Sequence, residues 1–144
     1  MPEAGNWFAW AILSAIFAAL TAIFAKVGLA GVDSDYATLI RTFVIAATLS
    51  LIVALTGKWR NPASLPPRSL TFLVLSGLAT GASWLCYFRA LKVGNASEVA
   101  PVDKLSVLLV AVFATAFLGE RPSLREWVAI GLVGGGVLLL SWRR

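Results

Sequence analysis

Pro101, Asp103 and Lys104 crowd together in the stretch "NASEVAPVDKLSVLLVAVFATAFLGE", residues 95–120, which is otherwise almost wholly apolar. A carboxylate beside an ammonium in such a setting can hold a charged solute, exchange a proton or neutralise itself. A proline there can free a backbone carbonyl. Lys26, Arg41 and Arg89 are further charges set against apolar sequence, and Trp84 and Tyr87 are large aromatics with polar atoms in the same kind of surroundings. Bond-making chemistry is not what these types support. The chain has no histidine and one cysteine, Cys86, so there is no Cys/His metal cluster and no internal disulfide. No nucleophile–base constellation stands out. Glu98 and Glu120 fall at opposite ends of one apolar run, too far apart to act as paired carboxylates. Neither an enzyme nor a cofactor is expected.

The elements that must position these residues follow from composition. Of 144 residues 59% are hydrophobic and 13% charged, too little charge to cover the surface of a soluble domain. The expectation is an integral membrane protein. A span needs about 20 apolar residues, because the hydrocarbon layer is about 30 Å thick and a helix rises 1.5 Å per residue. Five stretches qualify, 7–25, 36–56, 70–91, 97–118 and 123–142. They are too long and too uniformly apolar for barrel strands, so an all-α bundle of five transmembrane helices is predicted. It is read as a single domain over 1–144. The opening "MPEAGN" has an acid, no Lys or Arg and no cleavage site after it, so the first apolar stretch is kept as a structural helix.

The connectors punctuate these spans. "GLAGVDSD" carries glycines, with Ser34 as a candidate N-cap and Asp35 in the first turn. "TGKWRNPASLPPRS" is polar and rich in proline. Gly94 can end one helix and Ser97 cap the next, while Ser123 with Glu126 has capping-box spacing. The net charge of +5 is spread singly or in pairs at segment ends rather than in a basic stripe, which excludes nucleic acid as a partner and suits lipid headgroups. Alternating spans put Lys58, Arg60, Arg68, Arg121 and Arg125 on one side, and Lys26, Arg41, Arg89, Lys92, Arg143 and Arg144 on the other. The positive-inside signal nearly cancels. Insertion in both orientations, or in one for reasons outside the count, both fit.

A charge near the bilayer centre costs about 2.5–3.5 kcal/mol on insertion scales, so such residues normally face protein or water and find partners. For Lys26 and Arg89 the favoured reading is snorkelling to headgroups. Arg41 is deeper, and an ion pair with Asp103 or Asp35 or a substrate contact are open to it. The short side chain of Asp103 cannot snorkel; it is paired with a base, faces a water-filled cavity, or is uncharged. Adjacent helix residues point about 100° apart, so Arg41 or Lys26 is geometrically an easier partner for it than Lys104. If the helix begins at Glu98, Pro101 lies near the first turn and is harmless, the reading the sequence favours. If it begins earlier, Pro101 frees a carbonyl near Ser97, which membranes tolerate where it lines a cavity.

Small residues mark close helix approach. Gly77 with Gly81 and Gly131 with Gly135 form two GxxxG pairs, and Ser14, Ala18 and Ala22 give the first helix a small face. The last helix has no charge between Val128 and Ser141, which suits a scaffold or dimer-contact element. Trp7, Trp10, Trp59, Trp127 and Trp142 read as interface anchors. Trp84, with Tyr87 and Phe88, reads as packing or as a cavity border.

The stretch 90–140 resembles the second half of an EamA domain of the drug/metabolite transporter superfamily. The likeness is carried by Ala90-Leu91-Lys92 in the hairpin, Ala100-Pro101 early in the next span, Leu118-Gly119-Glu120 at its end and the glycine-rich last helix. "FAALTAIFAKVGL" and "ATLIRT" fit the same family in the first half. The resemblance implies a half-transporter. Larger members join two such units in inverted orientation, with substrate passing between them along the first four helices of each and the fifth helices peripheral. Pro101, Asp103 and Lys104 would then lie on a cavity-lining helix. The missing half would come from a second copy, as an antiparallel homodimer, or from a paralogue.

The expected function is therefore transport, by alternating access, of a small metabolite or drug-like molecule, with export as the direction and a bacterial or archaeal cytoplasmic membrane as the location. Candidate substrate-binding residues are Asp103, Lys104, Arg41, Lys26, Pro101, Trp84 and Tyr87; their net positive charge leans towards an anionic or zwitterionic cargo. Candidate packing residues are Gly77, Gly81, Gly131 and Gly135. The alternatives are an assembly subunit without cargo and a small multidrug resistance type cation/proton antiporter. The latter depends on an acid in its first helix, and 7–25 contains none.

Overall fold

A computed structural model describes residues 7–142. "MPEAGN", Arg143 and Arg144 lie outside the described residues, and so do the side assignments that rest on those two arginines. The described chain is helical throughout its regular structure: α1 (Trp7–Gly28), α2 (Ser34–Leu55), a single 3-10 turn (Pro62–Ser64), α3 (Pro67–Val93), α4 (Ala96–Asp103), α5 (Ser106–Phe117) and α6 (Leu124–Ser141). α1, α2, α3 and the stretch Ala96–Phe117, which holds α4 and α5, are long and apolar enough to cross a membrane. The protein is thus a multi-pass membrane protein. α6, of 18 residues, is shorter, about 27 Å long. Large apolar side chains such as Phe43, Leu55, Leu78 and Leu132 are not covered by the rest of the chain. In water that surface would be an aggregation hazard; in hydrocarbon it is a lipid face.

The chain divides into two compact units, residues 24–93 and residues 1–23 with 94–144. In the first, the end of α1 joins the α2–α3 pair. Asp33, not Ser34, caps α2: its carboxylate accepts from the backbone N–H of Asp35 at 2.9 Å and of Tyr36 at 3.0 Å. Ser34 is the first helical residue and is buried. Within α2 the hydroxyls of Thr38, Thr42 and Thr48 each donate to the carbonyl four residues back at 2.8 Å, so these polar groups are satisfied without leaving the helix. Gly57 at φ +65° ends the helix in a Schellman turn, in which Lys58 N–H reaches the Val53 carbonyl and Gly57 N–H the Ala54 carbonyl. α3 opens with Pro67, whose missing N–H is no loss at a first position. Its 27 residues span roughly 40 Å, more than the hydrocarbon thickness. Phe88 and Leu91 are its buried residues.

In the second unit α4 and α5 pack against α6. The capping box at α6 forms as predicted: Ser123 accepts from the Glu126 N–H, and the Glu126 carboxylate accepts from the Ser123 N–H at 2.6 Å. The cap of α4 is Asn95 rather than Ser97. Close approach falls at Gly134, where a Cβ would lie 2.6 Å from Leu108 Cδ2. Ala111, Ala114 and Val137 are buried in this unit. A Cβ at Gly77, Gly81, Gly131 or Gly135 would meet nothing within 4 Å.

Two stability outcomes are expected in thermal unfolding of the detergent-solubilised protein. Gly134→Val should cost about 1–3 kcal/mol, because a branched Cβ cannot share space with Leu108, whereas Gly136→Val, which meets open space, should stay within about 1 kcal/mol. Asp33→Ala should cost about 1 kcal/mol by orphaning two N–H groups, and Asp33→Asn should recover most of it.

Candidate functional site

The fourth span is not one helix. α4 contributes about 12 Å of rise and α5 about 18 Å, so the join lies well inside a 30 Å layer. Because α4 begins at Ala96, Pro101 is several residues inside it rather than in its first turn. That overturns the harmless reading. Pro101 has no N–H to give the Ser97 carbonyl, and its ring crowds that oxygen. Beyond Asp103 the α-helical pattern lapses before α5 takes it up. Lys104, Leu105, Val107 and Leu108 each donate to the carbonyl three residues back, at 3.0–3.1 Å, instead of four. Lys104 adopts φ −71°, ψ −4°, and Leu105 φ −57°, ψ −22°. Such a 3-10 interruption in mid-span marks strain or a hinge.

Asp103 and Lys104 sit on this interruption. Their side chains meet at 3.4 Å and keep 37% and 55% of their surface uncovered. Within its own unit the partner of Asp103 is thus its chain neighbour, the residue the sequence disfavoured. The 100° separation that disfavoured Lys104 assumes a continuous helix, and the helix ends at Asp103. At 3.4 Å and with this exposure, the contact is a loose one, worth little as a structural lock.

The remaining candidates lie in the 24–93 unit. Lys26, in the last turn of α1, donates from Nζ to the Leu91 carbonyl at 2.6 Å. Arg89 is held by Asp35 through two parallel bonds, Nε to Oδ1 at 2.9 Å and Nη2 to Oδ2 at 2.5 Å. Lys92 Nζ donates to the Val32 carbonyl. Together these contacts tie the end of α1, the 29–33 loop and the start of α2 to the end of α3.

Arg41 has a different setting. Its guanidinium carbon lies 4.2 Å from the centroid of the Trp84 ring and 5.2 Å from that of Phe88. Tyr87 stands edge-on to Phe88, with centroids 6.4 Å apart. Trp84 and Phe88 are four residues apart on α3, so both rings face the same side of the helix. Phe88 is 3% exposed, a fixed platform. The pairing of Arg41 with Asp35 does not form, since Asp35 is taken by Arg89. Phe88 as a partner of Arg41 went unpredicted; its i, i+4 relation to Trp84 was the available signal.

Comparison with known proteins gives these features a family context. A sequence profile of the EamA-like transporter family matches residues 5–142. A Sinorhizobium sp. protein named "Uncharacterized transporter in cobO 3'region" is 57% identical over 136 residues, 94% of this chain and 96% of that one. The Yersinia pestis (strain Pestoides F) protein named "Probable 4-amino-4-deoxy-L-arabinose-phosphoundecaprenol flippase subunit ArnE" is 30% identical over 74 residues, 51% of this chain and 65% of that one. A Yersinia pseudotuberculosis (serotype O:3, strain YPIII) protein of the same name matches to the same extent. No solved structure gives a significant match. With a broken, charge-bearing span and a matching profile over nearly its whole length, the chain belongs to the EamA-like transporter family.

Proposed function

We propose that the chain is a five-span half-transporter that pairs with a second copy of itself or a paralogue and exports a small molecule by alternating access. The observation that carries this reading is the interruption of the fourth span at Lys104–Leu105, with Asp103 and Lys104 half uncovered beside it. Broken backbone at membrane depth is tolerated where it lines a polar path, and discontinuous helices in transporters mark substrate sites. An interruption held by i to i−3 bonds also gives α4 and α5 a joint about which to move. Asp103, Lys104 and Pro101 are proposed as substrate-facing groups in one unit, and Arg41, Trp84, Tyr87 and Lys26 in the other. α6 is proposed as a peripheral fifth span.

Pairing is supported by three features. The glycine pairs Gly77/Gly81 and Gly131/Gly135 have room for another helix. The side-to-side balance of Lys and Arg in the sequence fits an antiparallel arrangement. One set of relatives is named as a subunit, of a flippase. The bacterial sources of the relatives support a bacterial cytoplasmic membrane.

The test is flux in proteoliposomes loaded with a broad panel of labelled metabolites. Asp103→Asn should lower the rate at least about tenfold, roughly 1.4 kcal/mol of barrier, while leaving the thermal unfolding temperature within a few degrees. Pro101→Ala should restore the lost helix bond, raise stability and slow exchange. Flux that is absent for every solute, or an Asp103→Asn that changes stability and nothing else, would favour the assembly-subunit reading. Reporters fused to the C-terminus should give equal signal on both membrane faces for an antiparallel homodimer and one-sided signal for pairing with a paralogue.

A further inference from the structure

Every other charged side chain of residues 24–93 gathered where α1, α2 and α3 meet has an oxygen or a nitrogen to answer it, and Arg41 does not. The two carboxylates of residues 24–93 are both committed: Asp33 accepts from two backbone N–H groups and Asp35 takes Arg89 in a two-point bond. Lys26 and Lys92 are on carbonyls. Arg41 stands about 10 Å along α2 from Ser34, half-buried, and forms no ion pair or hydrogen bond with any residue of 24–93. What it has is aromatic cover, Trp84 at 4.2 Å and Phe88 at 5.2 Å.

That cover decides what the guanidinium can still do. Rings attract the cation through their π faces, but they satisfy none of its N–H groups. The donors lie in the guanidinium plane, as a rigid fork matched to two oxygens of a carboxylate or phosphate. A permanently charged group within a span, set against aromatic rings and with its donors unanswered in its own unit, is a built receptor for an oxyanion. The apolar rings beside it suit a molecule whose remainder is greasy.

We propose that Arg41, clamped by Trp84 and Phe88, is an oxyanion seat that takes the phosphate or carboxylate of an amphipathic molecule. The proposal rests on the transport reading for its purpose but not for its chemistry. The oxyanion has two sources, the headgroup of a membrane lipid or the charged end of a transported solute.

The full-length protein in dodecyl maltoside, a detergent with neither phosphate nor carboxylate, is titrated with hexyl phosphate, with hexanoate and with short-chain phosphatidylglycerol. Binding is followed by tryptophan emission, since an anion on Arg41 changes the field at Trp84, and by calorimetry. Saturable binding is expected, weakened about tenfold or more in Arg41→Gln. Arg41→Lys, which keeps the charge and loses the fork, should weaken it about fivefold, and Lys58→Gln should leave it unchanged. Binding of the phospholipid alone assigns the seat to a lipid headgroup; binding of the alkyl anions assigns it to a solute, and either outcome supports the seat. Should Arg41→Gln fail to fold, Arg41→Lys carries the test. Affinity unchanged in the folded variants, or no binding of any of the three probes, overturns the proposal. Arg41-dependent binding without flux would leave the seat standing and remove the transport reading; flux with Arg41-independent binding would do the reverse.

Discussion

Within hydrocarbon a backbone N–H or C=O has no water to turn to, and each unsatisfied group costs several kcal/mol, so a spanning chain must close its own hydrogen bonds. That constraint explains most of this molecule. It makes every regular element a helix and recruits the α2 threonine hydroxyls back onto their own helix. It also makes the single departure informative. At Pro101 the chain gives up a helix bond and then runs on through a series of tightened ones before α5 begins. A soluble protein could hydrate such a place. Here the polar neighbours are Asp103 and Lys104, two residues that would themselves be costly in lipid. Broken backbone and charge share one location, and each is less costly in polar surroundings than in lipid.

The 24–93 unit answers the same constraint with side chains. Its basic residues at the α1–α2–α3 end act as connectors, with Lys26 and Lys92 reaching carbonyls that helix ends leave open and Arg89 locking α3 to the start of α2 through Asp35. The Asp35–Arg89 pair is largely uncovered, so it contributes orientation more than stability. Arg41 differs from Arg89 in what it lacks. Two arginines with the same chemistry receive a carboxylate in one case and two aromatic rings in the other.

Much of this was legible in the sequence because bilayer thickness sets the length of each element. The spans at 7–25 and 70–91 fall within helices that the structure extends by a few residues, and 36–56 matches α2 to within two residues at each end. The Ser123–Glu126 box was readable because both partners of a capping box are fixed in spacing. The other caps slipped. Asp33 caps α2 through its carboxylate and Asn95 holds the N-cap position of α4 without a side-chain bond; both residue types suit that position as well as the serines that follow, and sequence does not say which turn is the first. The same two-residue uncertainty hid the break: whether Pro101 is harmless depends on whether α4 starts at Ala96 or Glu98. Pairings across helices were hidden for another reason. Spacing shows that Trp84 and Phe88 share a face, but not which cation faces them, because that depends on how α3 is rotated against α2. Gly134 was masked likewise by the glycines on either side of it.

Gly134 also indicates how the uncovered glycines should be understood. Between lipid-facing helices apolar area drives nothing, since tails are as greasy as leucine; close backbone approach is what holds helices together. α5 and α6 use that device once, with Leu108 seated on Gly134. Gly77, Gly81, Gly131 and Gly135 offer the same opening with no side chain in it. Glycine is a poor helix former, costing about 1 kcal/mol relative to alanine, so four such positions weaken α3 and α6 without return inside the chain. A second chain seated on them would recover that cost through backbone contact. Such open glycine faces are the kind of surface on which membrane helices approach one another closely.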